Sequence, residues 1–127
     1  MIRLPGIVLM SGLIILLHMG NAMAEAGDAE SGKSLFQSHC MACHSLTANR
    51  VGPMLSGVYG RKAGSAPDFN YSTAVKSSGL TWKEATLDQW LSSPQTLLPG
   101  QKMNISISDP QKRADIIAYL KTLSDKP

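Results

Sequence analysis

The sequence predicts an all-α domain with long loops, and three observations support this. Two amphipathic segments, near residues 30 and 115, each follow an aspartate that can cap a helix. The region between them is punctuated by glycine and proline, as loops are. Ile105 and Ile107 alternate with serines, but this run is too short to predict a strand.

The chain has 127 residues, of which 43% are hydrophobic, enough for one domain and not for two. The first 24 residues differ in composition from the rest of the chain. Arg3 supplies a positive charge, residues 7–17 form an apolar run, and Ala22-Met23-Ala24 is a small-x-small cleavage site. This order predicts a secretory signal peptide over residues 1–24 and one domain over residues 25–127.

A retained membrane anchor is the alternative for this first segment. The longest stretch, Leu4 to Met19, has 16 residues with His18 inside it. A helix that spans the bilayer needs ~20 apolar residues. Cleavage after Ala24 is therefore favoured, which leaves 103 residues outside the cytoplasm.

The first helix is predicted from Asp28 to Cys40, with Asp28 as its cap and Leu35 and Phe36 on its apolar face. Gly32 lies in the middle of this helix. A glycine there costs about 1 kcal/mol relative to alanine, which favours close approach of another helix; fraying is the simpler alternative.

Residues 45–66 are predicted to form a loop. Short helices follow over residues 72–78 and 83–92, the second with Thr81 and Glu84 spaced as a capping box. The last helix is predicted to begin at Ser108 or Asp109 with Pro110 in its first turn. Its apolar face comprises Ile116, Ile117, Leu120 and Leu123.

Cys40-Met41-Ala42-Cys43-His44 is the most informative motif. Two cysteines three positions apart, followed by histidine, are the attachment signature of c-type haem. On a helical turn both thiols lie on one face and can reach the two vinyl groups of one porphyrin. His44 would then be the proximal ligand of the iron.

Three other interpretations of this motif remain. A redox dithiol does not need the histidine and usually lies between a strand and a helix. Zinc needs four ligands, whereas residues 25–127 contain two cysteines and two histidines, all within residues 39–44. A disulfide between Cys40 and Cys43 would close a very small loop and stabilise little. The haem interpretation is favoured.

The charge pattern argues against a nucleic-acid partner. The chain carries 12 Lys and Arg and 9 Asp and Glu, and without Arg3 the net charge is +2. There is no basic stripe with interleaved aromatic residues, so no nucleic-acid partner is predicted.

Several stretches together resemble a known family. They are Gly32 to Phe36, Cys40 to His44, Gly52-Pro53, Gly57 to Pro67, Phe69 to Tyr71, Leu80 to Trp82, Pro99 to Met103 and Arg113 to Leu120. The chain resembles the class I c-type cytochromes of mitochondria and the bacterial periplasm. The resemblance implies the small cytochrome c fold, in which the first and last helices pack together and long loops wrap one haem.

The resemblance implies that Met103 is the second axial ligand. Met103 follows a Pro-Gly turn, 59 residues beyond His44, and matches the family's axial methionine. Met41 lies between the two cysteines, and Met54 follows a turn that packs against the proximal histidine in this family. His39 is an alternative ligand, but it adjoins Cys40 on the proximal side.

Arg61, Tyr71 and Trp82 match family positions that hold a haem propionate, and each side chain has a hydrogen-bond donor. For Tyr71 and Trp82, core packing is the simpler alternative. Three positions depart from the family: Trp90 replaces a common tyrosine, Val75 a common asparagine and Gln101 a common threonine. These departures alter the polar surroundings expected behind Met103.

The resemblance implies a soluble, monomeric, monohaem electron carrier of the periplasm, and not an enzyme. It would bind one haem c through Cys40 and Cys43 and dock with redox proteins: a quinol-oxidising complex, a terminal oxidase, a reaction centre or a dehydrogenase. After cleavage, no stable membrane insertion is expected. Two alternatives are a haem enzyme or gas sensor with an open sixth site, and a thiol-disulfide protein.

Overall fold

The computed structural model describes residues 25–124, and within this range it is helical. Its five helices are α1 (Ala29–His39), α2 (Thr73–Lys76), α3 (Glu84–Ser92), α4 (Pro94–Leu97) and α5 (Pro110–Thr122). The one β-type pairing in this range is an isolated antiparallel bridge between Lys62 and Thr81. The all-α prediction is confirmed, as is the absence of a strand at Ile105 and Ile107.

The signal-peptide prediction concerns residues 1–24 and lies outside the described range. From residue 25 to residue 124, no helix has the length and apolar character needed to cross a membrane.

Helix α1 begins where the sequence predicts, because Asp28 caps it. The Asp28 carboxylate accepts a hydrogen bond from the Ser31 backbone N–H at 2.6 Å. This bond favours the charged carboxylate and lowers the pKa of Asp28. The backbone N–H of Asp28 in turn donates to Asp115 Oδ1 of α5 at 2.9 Å. The cap therefore joins the start of α1 to the last helix.

Helices α1 and α5 pack directly against each other at Gly32. A Cβ atom added to Gly32 would lie 1.9 Å from the backbone oxygen of Asp115 and 3.0 Å from Tyr119 Cβ. Nearby, the rings of Phe36 and Tyr119 lie 5.3 Å apart between centroids. The glycine thus permits close helix approach, which confirms the first of the two alternatives for Gly32.

The hydrophobic core forms around this helix pair. Phe36, Ile116 and Ile117 each expose only 1% of their surface. The core continues to Leu87 and Leu91 on α3. The amphipathic segments that the sequence predicts therefore supply the centre of the molecule.

The predicted capping box of α3 is wrong. Helix α3 begins at Glu84, and its cap position is Lys83. The Thr86 hydroxyl accepts from the Lys83 backbone N–H at 2.9 Å and donates to the Thr81 carbonyl at 2.7 Å. Thr81 lies two positions before the cap, opposite Lys62 in the isolated bridge, and its carbonyl rather than its side chain contacts the start of α3.

Two further boundaries differ from the prediction. Helix α2 is confined to residues 73–76, with Ser72 as its cap and Ser77 at its end. Helix α4 was not predicted. Pro94 occupies the first turn of α4, where its missing N–H costs nothing, and the Ser93 side chain accepts from the Thr96 backbone N–H.

Candidate haem site

The two cysteines lie on a turn that directly follows α1. The carbonyl oxygen of Cys40 accepts hydrogen bonds from the backbone N–H groups of Cys43, at 3.2 Å, and His44, at 2.9 Å. Both cysteines are half-buried and neither forms a disulfide. Burial, with the neighbouring Cys43 adding to it, raises the pKa of Cys40 to about 11. The turn therefore places the two cysteines within one helical turn of each other.

His44 is held in one orientation by the Gly52-Pro53 turn. Its Nδ1 atom lies 2.8 Å from the Pro53 carbonyl oxygen, and a carbonyl can only accept, so Nδ1 carries the proton. The lone pair of the imidazole is then on Nε2. Burial lowers the pKa of His44, so the ring is neutral at neutral pH and can bind a metal.

Gly52 lies against the face of the imidazole. A Cβ atom at this position would come within 2.2 Å of His44 Cε1 and 2.7 Å of Nε2. Glycine is therefore required for the close contact between this turn and the ring. The resemblance predicted this packing of Gly52-Pro53 against His44, and the structure contains it.

Arg61 provides an unsatisfied donor inside the molecule. Its Nη2 donates to the Met54 carbonyl at 2.9 Å and its Nη1 to the Ser56 carbonyl at 3.4 Å. Its Nε atom is buried without a partner in residues 25–124. Burial lowers the pKa of Arg61, while Tyr71 acts in the opposite direction. A buried donor on a cation suits an anionic group such as a haem propionate.

Tyr71 and Trp82 lie in the same part of the structure as Arg61. The Tyr71 hydroxyl oxygen accepts from the Ala66 backbone N–H at 3.0 Å, which leaves its own proton available for donation. Trp82 is buried, and its backbone N–H donates to the Arg61 carbonyl at 2.9 Å. Trp82 and Tyr71 also pack on the core, as the simpler alternative for them expects, and the propionate role stays a prediction.

Met103 lies in the segment of residues 98–109 that connects α4 to α5 and has no helix of its own. It is half-buried and packs against the core cluster. Trp90 packs its ring against that of Trp82, with centroids 5.2 Å apart. Val75 and Gln101 are both buried. The three departures from the family are therefore interior positions.

His39, the alternative ligand, is exposed at the last position of α1. Its Nδ1 atom lies 2.8 Å from Ser38 Oγ, so this ring contacts its own helix. The half-buried Met103 is better placed to contact an enclosed group.

Two residues with structural roles in the site were missed by sequence reasoning. The Asn49 side chain donates to the Pro67 carbonyl at 2.8 Å and accepts from the Met54 backbone N–H at 3.0 Å. Arg50 Nη1 donates to the Met41 carbonyl at 2.7 Å. Arg50 thus braces the attachment turn, and Asn49 joins the residue after the Gly52-Pro53 turn to the loop at Pro67. Both act through backbone groups, and no residue spacing could reveal such contacts.

The residues present fit a covalently attached haem. Two adjacent thiols can form thioethers, and His44 has a free Nε2 beside them. The orphaned Nε of Arg61 offers a buried donor for a carboxylate.

Comparison with known proteins agrees with this geometry. A sequence model of the cytochrome c family matches residues 29–124. Cytochrome c2 of Rhodomicrobium vannielii is 50% identical over 101 residues, covering 76% of this chain and 80% of that protein. Cytochrome c of Euglena viridis is 45% identical over 102 residues, covering 78% of this chain and all of that protein.

The solved structure of cytochrome cH from Methylobacterium extorquens superposes with a TM-score of 0.73 at 53% identity. The superposition covers 76% of this chain and 99% of that one. The chain therefore belongs to the cytochrome c family, the class I c-type cytochromes, which hold one covalent haem c and carry electrons.

Proposed function

We propose that this cytochrome is a periplasmic electron carrier whose iron is bound by His44 and Met103. The hydrogen bond between His44 Nδ1 and Pro53 carries the proposal, since it directs the lone pair of Nε2 away from the turn. Cys40 and Cys43 bind the haem through thioethers, and Arg61, Tyr71 and Trp82 hold a propionate.

The haem supplies a one-electron redox centre when bound, and the protein residues set its properties. His44, fixed between Gly52 and Pro53, keeps its orientation in both redox states. The soft thioether of Met103 favours ferrous iron and raises the reduction potential. With both axial positions filled, no site is left for oxygen. Transfer is therefore outer-sphere and needs little atomic movement.

The periplasmic location is supported by residues 1–24, which have the charged start, apolar run and small-residue site of a signal peptide. The relatives of this chain include the proteins named cytochrome c2 from Rhodomicrobium vannielii and Rhodopila globiformis. We propose that the chain is exported, cleaved after Ala24 and loaded with haem outside the cytoplasm.

Redox proteins are the proposed partners: a quinol-oxidising complex, a terminal oxidase, a reaction centre or a periplasmic dehydrogenase. Docking would use the surface near Met103, where Lys102 and Ile105 are exposed. Ile105 has 41% of its surface exposed, and Met41, between the two thioether cysteines, has 45%. We propose that a monomer makes these contacts transiently.

Replacing Met103 with alanine tests the proposal. The ferric wild-type protein should show the weak sulfur-to-iron charge-transfer band in the far red, and Met103→Ala should lose it. The variant should also bind carbon monoxide in the ferrous state and have a lower reduction potential, because its sixth site is open. Absorption spectra and a redox titration measure all three properties.

Met41→Leu and Met54→Leu are the matched controls, because each replaces a methionine of the same chain with a residue of similar volume. Both should keep the far-red band and exclude carbon monoxide. A wild-type protein that binds carbon monoxide readily at neutral pH would refute the carrier with two filled axial sites and favour a haem enzyme or gas sensor.

A further inference from the structure

The segment that carries Met103 has few backbone contacts of its own. From Lys102 to Ser106, only one backbone group bonds to another residue of the described range: the Met103 N–H, which donates to Gln101 Oε1. The next backbone bond after Met103 joins the Ile107 N–H to the Leu91 carbonyl at 2.8 Å. The backbone of Met103 is therefore held by the side chain of Gln101.

Gln101 is suited to this task because its own position is fixed. It is one of three buried polar or charged residues of the described range, with 9% of its surface exposed. Its backbone N–H donates to the Leu98 carbonyl at 3.1 Å. Its side-chain Nε2 lies 3.3 Å from Gln95 Oε1 on α4. A buried amide whose donor and acceptor are both used has little freedom to rotate.

The other end of the segment is fixed separately. Arg113 Nη1 donates to the carbonyls of Ile107 and Ser108, each at 2.9 Å. Its Nε forms an ion pair with Asp88 of α3 at 2.7 Å. These bonds lie four or more positions beyond Met103, so they limit the ligand residue less directly than Gln101 does.

We propose that Gln101 is a positioning residue for Met103: its side-chain carbonyl holds the backbone of the ligand residue and so keeps the thioether on the iron. This rests on the proposed His44–Met103 ligation. Movement of Met103 away from the buried Gln101 side chain breaks the bond between Gln101 and the Met103 N–H. Gln101 therefore sets how often the sixth site opens.

The test measures how readily imidazole displaces Met103 from the ferric holoprotein. Gln101→Leu keeps a buried side chain of similar size but removes the acceptor. One hydrogen bond corresponds to about a two- to tenfold change in an equilibrium, so imidazole should bind Gln101→Leu about two- to tenfold more tightly. Gln101→Glu retains an acceptor oxygen but loses the donor to Gln95, so its imidazole affinity should fall between those of the wild type and Gln101→Leu.

Gln111→Leu is the matched control. Gln111 is a half-buried glutamine that likewise has a side-chain hydrogen bond, from Nε2 to Asp115 Oδ1 at 3.0 Å, but it lies on α5, eight positions beyond Met103. This variant should lower the melting temperature without changing imidazole affinity. If Gln101→Leu binds imidazole with wild-type affinity, or if Gln111→Leu shows the same gain, the positioning role is refuted.

A second measurement needs no variant. Amide hydrogen exchange in the ferrous wild-type protein should show the Met103 N–H protected, whereas those of Lys102, Asn104 and Ile105 exchange freely. Exchange of the Met103 N–H at the rate of its neighbours would overturn the inference. Failure of the ligation itself would look different, since the far-red band would then be absent from the wild type or survive in Met103→Ala.

Discussion

The orientation of the His44 ring depends on the absence of a side chain at Gly52. Gly52 leaves space for the imidazole of His44, and the Pro53 carbonyl accepts a hydrogen bond from its Nδ1–H. The histidine is thus held between a contact on its face and a bond at its edge. A carbonyl that accepts a hydrogen bond from one ring nitrogen fixes the tautomer and raises the basicity of the other nitrogen, which can then bind a metal.

Gly52→Ala should disturb this arrangement. The new Cβ would lie 2.2 Å from His44 Cε1, so either the ring or the turn must move. Overpacking of this kind costs about 1–3 kcal/mol. We expect a lower free energy of unfolding in guanidinium and, because the ring is displaced, an altered visible spectrum.

Gly57→Ala is the control for the Gly52 prediction. Gly57 has φ of +73° and no atom within 4 Å of its added Cβ. The left-handed backbone should cost about 1–2 kcal/mol, but the spectrum should stay unchanged. A normal spectrum and normal stability in Gly52→Ala would show that the turn does not constrain His44.

Some of the site was predictable because its chemistry requires a fixed local spacing. Cys40, Cys43 and His44 lie within one turn, and two thioethers with one iron ligand demand that turn. Asn49, Arg50 and Gln101 act instead through backbone carbonyls and N–H groups. Such groups are present at almost every position, so only the folded structure shows which ones are contacted.

The helices can likewise be divided into those that the sequence predicts well and those that it does not. Helices α1 and α5 were predicted nearly to their ends, because Asp28 and Asp109 cap them and their apolar faces are clear. Helices α2 and α4 have four residues each, too few for periodicity to be visible. Their limits depend on local caps such as Ser72 and Ser93, which a sequence pattern does not distinguish from ordinary loop serines.

Because α1 contacts α5 at Gly32, we expect the usual preference for alanine over glycine within a helix to be reversed at this position. Alanine stabilises an exposed helix interior by about 1 kcal/mol relative to glycine. At Gly32 the added Cβ would lie 1.9 Å from the Asp115 carbonyl oxygen, so the two helices must separate. We expect Gly32→Ala to unfold at a lower guanidinium concentration than the wild type.

Ser34→Ala, at an exposed position of the same helix, provides the comparison. It should leave the unfolding midpoint unchanged or raise it slightly. Equal midpoints for Gly32→Ala and the wild type would mean that the helices can move apart without loss of stability.

The molecule as a whole has little regular structure near the haem. No helix lies between His39 and Thr73 in the described chain. Loops longer than about 12–15 residues without secondary structure are uncommon in compact domains and usually have a functional role. Here the loop carries Arg61 and Tyr71, and a porphyrin would supply the apolar surface on which it packs.

Folding should therefore depend on haem. We expect the Cys40→Ala, Cys43→Ala protein to be largely disordered, because its small domain loses the apolar group that the long loop surrounds. Near-UV circular dichroism and thermal melting measure this, with Met41→Leu as a variant that keeps both attachment sites. A cooperative melt with native-like near-UV signals in the double variant would contradict the expectation.

The bond between Asp28 N and Asp115 Oδ1 joins positions 87 residues apart, so the polypeptide between them is closed into a ring. Lengthening a closed loop is inexpensive: each doubling of its length costs only about 0.6 kcal/mol. Gly79 is an exposed turn with φ of +71° and no atom within 4 Å of an added Cβ. Insertions there would enlarge the ring without touching the helix pair that closes it. We therefore expect the chain to tolerate insertions between α2 and α3 far better than changes around Gly32 or Gly52.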